Sequence, residues 1–218
     1  MNKKQIVQNT IHFVKETLEG AEGGHDWFHI ERVYKNALLI AKNEKVNHFI
    51  VELGALLHDI ADAKFYNGDE SVGPKKARAF LKSQHVDENI IVHVENIILF
   101  ISYKSSLDSG EKFTSIELDV IQDADRLDAI GAIGIARCFN YGGFKNRPLY
   151  DPEINTNLEM NKEEYKKSTA PTINHFYEKL LLLKDKMNTK TGQLLAKERH
   201  CYMEEFLQYF FEEWNGLR

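Results

Sequence analysis

Two histidines and three aspartates in this sequence fall on otherwise apolar segments with helical spacing. Burying such groups without partners would cost roughly several kcal/mol. A metal ion resolves that conflict. The two imidazoles together with two of the three carboxylates suit a borderline divalent ion such as Mn²⁺, Fe²⁺, Co²⁺, Ni²⁺ or Zn²⁺. Mg²⁺, which favours oxygen ligands, fits less well. The five residues are His29, His58, Asp59, Asp62 and Asp125.

The segment from Phe49 to Lys64, which contains three of these residues, is predicted to be one helix. Its apolar residues recur at three- and four-residue steps, and no proline or turn dipeptide interrupts it before Asn67-Gly68. On such a helix Asp62 lies one turn beyond both His58 and Asp59, so the three side chains share one side.

The other helices of the first half are placed by capping and punctuating residues. Residues 4–19 form an amphipathic helix that stops at Gly20, and Asp26 is the expected N-cap of the next helix. Pro74 is expected at position N1 of a fourth helix, and Asp87 is expected to cap a fifth.

The second half combines helices with one long connection. The helix that carries Asp125 continues toward Gly131 and Gly134, which predict either tight packing or a bend. Residues 140–168 show no clean period and are expected to form a long connection. Two helices follow, one opened by Pro171 and one after Gly192. Since no strand pattern is convincing, the predicted class is all-α.

Composition excludes several classes of protein. A net charge of −5 and a pI near 6.0 argue against binding to a nucleic-acid polymer, so an anionic substrate must be met by local cations. Cys138 and Cys201 cannot form a disulfide framework. No leader and no stretch of eighteen apolar residues is present, so we expect a single-domain cytoplasmic protein without a membrane partner. The aromatic-rich last helix suits the core or the surface of a homodimer.

The sequence resembles the HD-domain superfamily of metal-dependent phosphohydrolases, whose signature is a His, an adjacent His-Asp pair and a distant Asp. These positions hold His29, His58-Asp59 and Asp125, and the likeness covers roughly residues 20–140. The chain looks most like the small bacterial HD proteins that resemble nucleotide pyrophosphohydrolases. The C-terminal helices of those proteins are similar to residues 168–216, which implies an HD-type helical bundle with extra C-terminal helices over residues 1–218.

What this resemblance implies is one divalent metal, preferably manganese, held by His29, His58, Asp59 and Asp125. Cobalt, nickel, iron, zinc and magnesium are the alternatives to manganese. A divalent ion lowers the pKa of bound water from about 15.7 to roughly 7, which supplies hydroxide at neutral pH, and it polarises a phosphoryl oxygen. Asp62 stands where many nucleotidase members of the family place a catalytic Glu or Asp, so we expect it to orient the water and act as general base or acid.

The implied substrate is a nucleotide or another small phosphate ester or anhydride, and the family likeness favours cleavage of a nucleoside triphosphate to monophosphate and pyrophosphate. Phosphoryl oxygens need fixed positive charge nearby. Arg32, one turn after His29, is the expected catalytic and substrate-binding cation. The further predicted substrate contacts are Lys64, Lys104, Arg126 and Arg147.

Two other functions are compatible with the same residues. A sensor that binds metal and nucleotide without turnover would not need Asp62. A di-iron oxygenase of related fold would need further histidines on the helix of residues 87–102, where His93 is the candidate. His25 is more typical of capping than of metal binding, and Asp128 suits either an acid beside the ligands or a salt-bridge partner of Arg32.

Overall fold

The computed structural model describes residues 2–20, 26–61, 69, 71–101, 113–160 and 168–218. These residues contain helices and no strand, which confirms the predicted all-α class. None of the described helices is both long and apolar enough to cross a membrane. The helices are α1 Lys3–Thr17, α2 Trp27–Ala41, α3 His48–Leu57, α4 Val72–Ser83, α5 Glu88–Phe100, α6 Ile116–Asp128, α7 Gly131–Phe144, α8 Asn174–Glu178, a 3-10 helix Leu180–Lys186, and α9 Lys190–Trp214.

The chain forms two compact units, Met1–Asp125 and Arg126–Arg218. The predicted single HD-type domain over residues 1–218 stays a prediction. In the first unit, α3 runs close to α5 and α6. A Cβ added to Gly54 would lie 2.6 Å from Cδ1 of Ile121 and 3.2 Å from Cδ1 of Ile97, nearer than carbon atoms pack. A side chain at this point of the core would therefore displace the end of the Ile121 side chain.

The first two helices begin within one residue of the predicted positions, and α1 ends at Thr17, two residues before the predicted end. The Asp26 carboxylate accepts a hydrogen bond from the backbone N–H of His29 at 2.9 Å, which confirms the predicted cap of α2. The chain leaves α1 after Thr17 and reaches Gly20, whose φ of 76° lies in the left-handed region that glycine adopts readily.

Helix α3 is shorter than predicted. It ends at Leu57, and the N–H of Ile60 bonds to the carbonyl of Leu57, an i→i−3 bond that tightens the chain into a turn. The prediction of a continuous helix through Lys64 is therefore wrong. Because His58 and Asp59 lie beyond the regular helix, the helical spacing no longer argues for Asp62, which lies outside the described residues.

Two capping details differ in α4 and α5. Ser71 precedes α4, so Pro74 occupies position N3, where its missing N–H still lacks a helical partner and costs nothing. Asp87 precedes α5 as predicted, but its side chain makes no capping bond. The backbone carbonyl of Asp87 instead accepts from the N–H groups of Ile90 and Ile91.

The chain bends between α6 and α7, as the two glycines allowed. Gly131 has a φ of 74°, and a Cβ on Gly134 would lie 2.2 Å from the carbonyl oxygen of Ala129. Both predicted effects, a bend and close packing, are thus present. Helix α7 then continues to Phe144, so the connection predicted from residue 140 begins later than expected.

The C-terminal helices depart most from prediction. The helix expected after Pro171 is divided at Lys179 (φ −145°, ψ −56°) into the short α8 and a 3-10 helix. Helix α9 begins before Gly192, because the Thr189 hydroxyl caps it by accepting from the Gly192 N–H at 2.9 Å. The first boundary is set by backbone geometry and the second by a side-chain cap, and the apolar spacing reports neither.

Candidate metal centre

Three of the predicted ligands converge in the first unit. His29 lies in the first turn of α2, His58 directly follows α3, and Asp125 lies in the last turn of α6. One ligand atom from each lies within 4.8 Å of the others. Nε2 of His29 is 3.5 Å from Oδ1 of Asp125, and the two imidazole centroids are 5.5 Å apart at 65°. Residues distant in sequence thus form one compact donor group, named here the triad.

The His58 ring is oriented for metal binding. Its Nδ1 lies 2.8 Å from the Ala55 carbonyl oxygen, and since a carbonyl can only accept, Nδ1 carries the proton. The lone pair is then on Nε2, which is buried and has no hydrogen-bond partner among the described residues. Leaving such an atom unpaired costs about 1–3 kcal/mol. A hydrogen bond to a backbone carbonyl on one nitrogen is the usual support of a histidine that binds metal through the other.

The donors of the triad fit a divalent transition ion. Two imidazole nitrogens and one carboxylate oxygen form a mixed nitrogen and oxygen set, which suits ions such as Mn²⁺, Fe²⁺, Co²⁺, Ni²⁺ or Zn²⁺. His29 is 4% and His58 7% exposed, whereas the Asp125 side chain is 44% exposed. The triad is therefore closed on its histidine side and accessible to solvent on its carboxylate side.

Hydrogen bonds to neighbouring backbone hold α6 in place. The side-chain amide of Asn36 on α2 donates to the Ala124 carbonyl at 3.3 Å. The Gln122 amide donates to the carbonyls of Phe100 and Ile101, at the end of α5, at 3.2 and 3.3 Å. Since Gln122 and Ala124 lie within the three residues before Asp125, these bonds hold the turn that presents it.

A second polar group holds the start of α6 and was not predicted. The buried Glu117 accepts from the Asn47 N–H at 2.8 Å and lies 3.4 Å from Nε2 of His93. His93 is also 3.0 Å from the Ser115 hydroxyl, which caps α6 by accepting from the Leu118 N–H. His93 is not part of the triad, so the described residues offer no support for the di-iron alternative. The sequence signal that could have found Glu117 is an acidic residue in the first turn of a helix, where the helix dipole favours negative charge.

The other predicted site residues have different positions. Asp59 is half-buried and adjacent to His58, but it is not a member of the triad. Arg32 is half-buried on α2, one turn after His29. The predictions for Asp62, Lys64, Lys104 and His25 concern positions outside the described residues.

The cations predicted in the second unit bind backbone carbonyls. The guanidinium of Arg126 donates to the Lys186 carbonyl at 2.6 Å, and that of Arg147 donates to the Ser168 carbonyl at 2.5 Å. Arg147 also lies 5.7 Å from the centroid of Tyr141. Both guanidinium groups are therefore engaged with the backbone of the second unit, and their contact with a substrate stays a prediction.

Asp128 is a structural acid within the second unit. It is almost fully buried and forms a salt bridge with Arg137, which also donates to the Asp128 backbone carbonyl. Burial lowers the pKa of Arg199, and the Asp128 carboxylate opposes this shift. The Arg199 guanidinium donates to the carbonyl of Leu127, so the end of α6 is held by two arginines.

Comparison with known proteins identifies the family. The HD domain model matches residues 27–130, a span that contains all four predicted ligands. The chain is 37% identical to Bacillus subtilis YpgQ over 213 residues, covering 94% of this chain and 92% of YpgQ. This chain belongs to the HD-domain superfamily.

Solved structures agree with this assignment. An HD-superfamily hydrolase from Bacillus thuringiensis has a TM-score of 0.79 and 45% identity, covering 98% of this chain and 99% of that one. Crystalline Bacillus subtilis YpgQ in complex with ADP has a TM-score of 0.74 and 33% identity, with 98% and 97% covered. The family and the triad together support a metal-dependent phosphohydrolase in general.

Proposed function

We propose that this protein hydrolyses nucleoside triphosphates to the monophosphate and pyrophosphate in a reaction that depends on a divalent metal. The observation that carries the proposal is the triad, in which Nε2 of His58 is buried without a hydrogen-bond partner among the described residues and Nδ1 is bonded to the Ala55 carbonyl. The YpgQ complex with ADP supports a nucleotide as the ligand class.

His29, His58 and Asp125 would hold the ion, and Asp59 is proposed as the fourth ligand because it completes the family's signature. Manganese is the proposed metal. When bound, such an ion supplies Lewis acidity and lowers the pKa of a water molecule. The exposed side of Asp125 gives a phosphate access to the triad.

Arg32 is proposed to bind the phosphates. It lies one helical turn from His29, and a half-buried guanidinium stabilises phosphoryl oxygens more strongly than one fully in water, since the local dielectric is lower. Asp62 is proposed to orient the attacking water and transfer its proton. Lys64, Lys104, Arg126 and Arg147 are the further proposed substrate contacts.

A release assay tests the proposal. The purified protein is incubated with Mn²⁺ and a panel of nucleotides, and pyrophosphate and phosphate are measured for the wild type, His58→Ala, Asp59→Ala and a control, His12→Ala. His12 is exposed and pairs only locally with Glu16, so its removal should leave release unchanged. The proposal is supported if the wild type releases pyrophosphate and the two site variants, His58→Ala and Asp59→Ala, do not.

Nucleotide binding without any release would contradict catalysis and favour the sensor. Three further statements stay predictions: the protein forms a homodimer, it is cytoplasmic, and it binds no nucleic-acid polymer.

A further inference from the structure

One exposed aromatic side chain lies beside the triad. Phe28, in the first turn of α2, is 63% exposed, more than any other large apolar side chain described in the first unit. The other exposed large apolar side chains described in that unit are aliphatic. No ring or cation of the described residues stacks on Phe28. Its face is thus available to a ligand.

Helix geometry places Phe28, Arg32 and His29 in order across one side of α2. At 3.6 residues per turn, Phe28 and Arg32 are about 40° apart around the axis, and Arg32 and His29 are about 60° apart. Side chains at i and i+4 are neighbours. Burial follows the same order, since His29 is buried, Arg32 half-buried and Phe28 exposed. The Asp26 cap fixes the turn that carries Phe28 and His29.

This order matches the chemistry of a nucleoside phosphate. Its charged end suits the metal ligands and the guanidinium of Arg32, and its planar base suits an aromatic face that stays partly in water. An aliphatic or wholly ionic ligand would gain nothing comparable from a ring at this position.

We infer that Phe28 is the stacking platform for the base of a nucleoside phosphate whose phosphates bind at the triad and Arg32. This inference rests on the proposed function, because it takes the triad as the phosphate site. It makes Phe28 a specificity-determining residue that separates nucleotides from inorganic phosphates without reading the identity of the base, since every base has a stacking face.

Calorimetric titration in the presence of Mn²⁺ tests the inference with two probes, ADP and inorganic pyrophosphate. Both carry two linked phosphates, and only ADP has a base. The proteins are the wild type, Phe28→Ala, Phe28→Tyr and the control Leu39→Ala. Leu39 is an exposed side chain of the same helix, roughly 16 Å further along the axis from Phe28.

Phe28→Ala should weaken ADP binding by roughly 5- to 150-fold and leave pyrophosphate binding unchanged. Phe28→Tyr should retain ADP affinity, and Leu39→Ala should bind both probes like the wild type. Unchanged ADP affinity in Phe28→Ala, or an equal loss for both probes, would overturn the inference. A wild type that binds ADP but hydrolyses no nucleotide refutes the proposed function alone, because the binding comparison does not require turnover.

Discussion

Two buried histidines, one in each unit, show what separates a proposed metal ligand from a structural residue. His58 and His200 are both 7% exposed, and each has one ring nitrogen without a hydrogen-bond partner among the described residues. In His58 that atom is Nε2, which is grouped with donors from His29 and Asp125. In His200 it is Nδ1, while Nε2 lies 3.1 Å from the Lys184 ammonium and 3.2 Å from a Glu204 carboxylate.

The difference lies in what surrounds each ring and not in its burial. An unpaired buried nitrogen costs about 1–3 kcal/mol in either place. Of the two, only His58 has candidate ligand atoms of two other described residues within 4.8 Å, so a cation there could offset the cost. At His200 the neighbouring ammonium would repel a cation. Convergence of donors, more than burial of a single imidazole, marks the candidate metal centre.

The largest expected effect separates these two residues directly. His58→Ala should lower metal affinity by roughly 100-fold or more, because even residues that only support ligands are worth about 10- to 100-fold. His200→Ala should keep the wild-type metal content. Elemental analysis after dialysis against Mn²⁺ measures both, with circular dichroism to confirm folding. Equal loss of metal from both variants would remove the distinction.

A second comparison concerns two aspartates on α6. Asp125→Asn should reduce metal affinity at least tenfold with little effect on unfolding of the metal-free protein, since this side chain is half-exposed. Asp123 is fully buried, so Asp123→Asn should lower the free energy of unfolding by about 1–3 kcal/mol and spare metal affinity. Urea unfolding and metal titration of both variants measure these effects. A stability loss confined to Asp125→Asn would contradict this assignment.

His175 extends the comparison to a neutral structural histidine. Burial, followed by Lys179 and Arg147, lowers its pKa to about 4. The unfolded chain, with a pKa near 6.5, binds the proton more tightly, so stability is full above about pH 6.5 and falls as the pH drops toward 4. When the pH is lowered from 7 to 5, the free energy of unfolding should fall by about 1–2 kcal/mol more in the wild type than in His175→Gln. Thermal unfolding at both pH values measures this. An identical pH dependence would show that His175 titrates normally.

The last comparison concerns two glycines of α7. Gly134→Ala should destabilise the protein by about 1–3 kcal/mol, because its Cβ would lie 2.2 Å from the Ala129 carbonyl oxygen. Gly143→Ala meets nothing within 4 Å and should stabilise by about 0.5–1 kcal/mol, since alanine favours a helix. Urea midpoints distinguish them. Neither variant should alter metal affinity. A changed affinity in either variant would show that metal binding depends on this helix.

The sequence predicted features that depend on local patterns. Apolar spacing and capping residues located α1, α2 and α5, since a helix buries one face and leaves unpaired N–H groups at its start. The triad was predicted because titratable groups stood on apolar faces and matched a family signature. The first signal is local, whereas the second combines short motifs that are distant in sequence.

Two of the errors have a physical cause in the tertiary environment of the backbone. The end of α3 at Leu57 and the division at Lys179 depend on backbone bonds and dihedral angles that side-chain type does not encode. The start of α9 before Gly192 is different, because the Thr189 hydroxyl caps this helix and a threonine cap is a signal that the sequence carries. The hydrogen bonds of Arg126 and Arg147, whose contacts with a substrate stay predictions, end on main-chain carbonyls. Such acceptors occur at every residue, so a sequence cannot single them out.

The missing side chain of Gly54 bears on the proposed metal site without touching it. Gly54 precedes His58 by four residues, and Ile121 precedes Asp125 by four, so the contact between α3 and α6 lies one turn before two triad members. Divalent ions differ in radius by tenths of an ångström. We therefore expect a methyl group at this contact to change the relative affinities for these ions without changing a single residue of the triad.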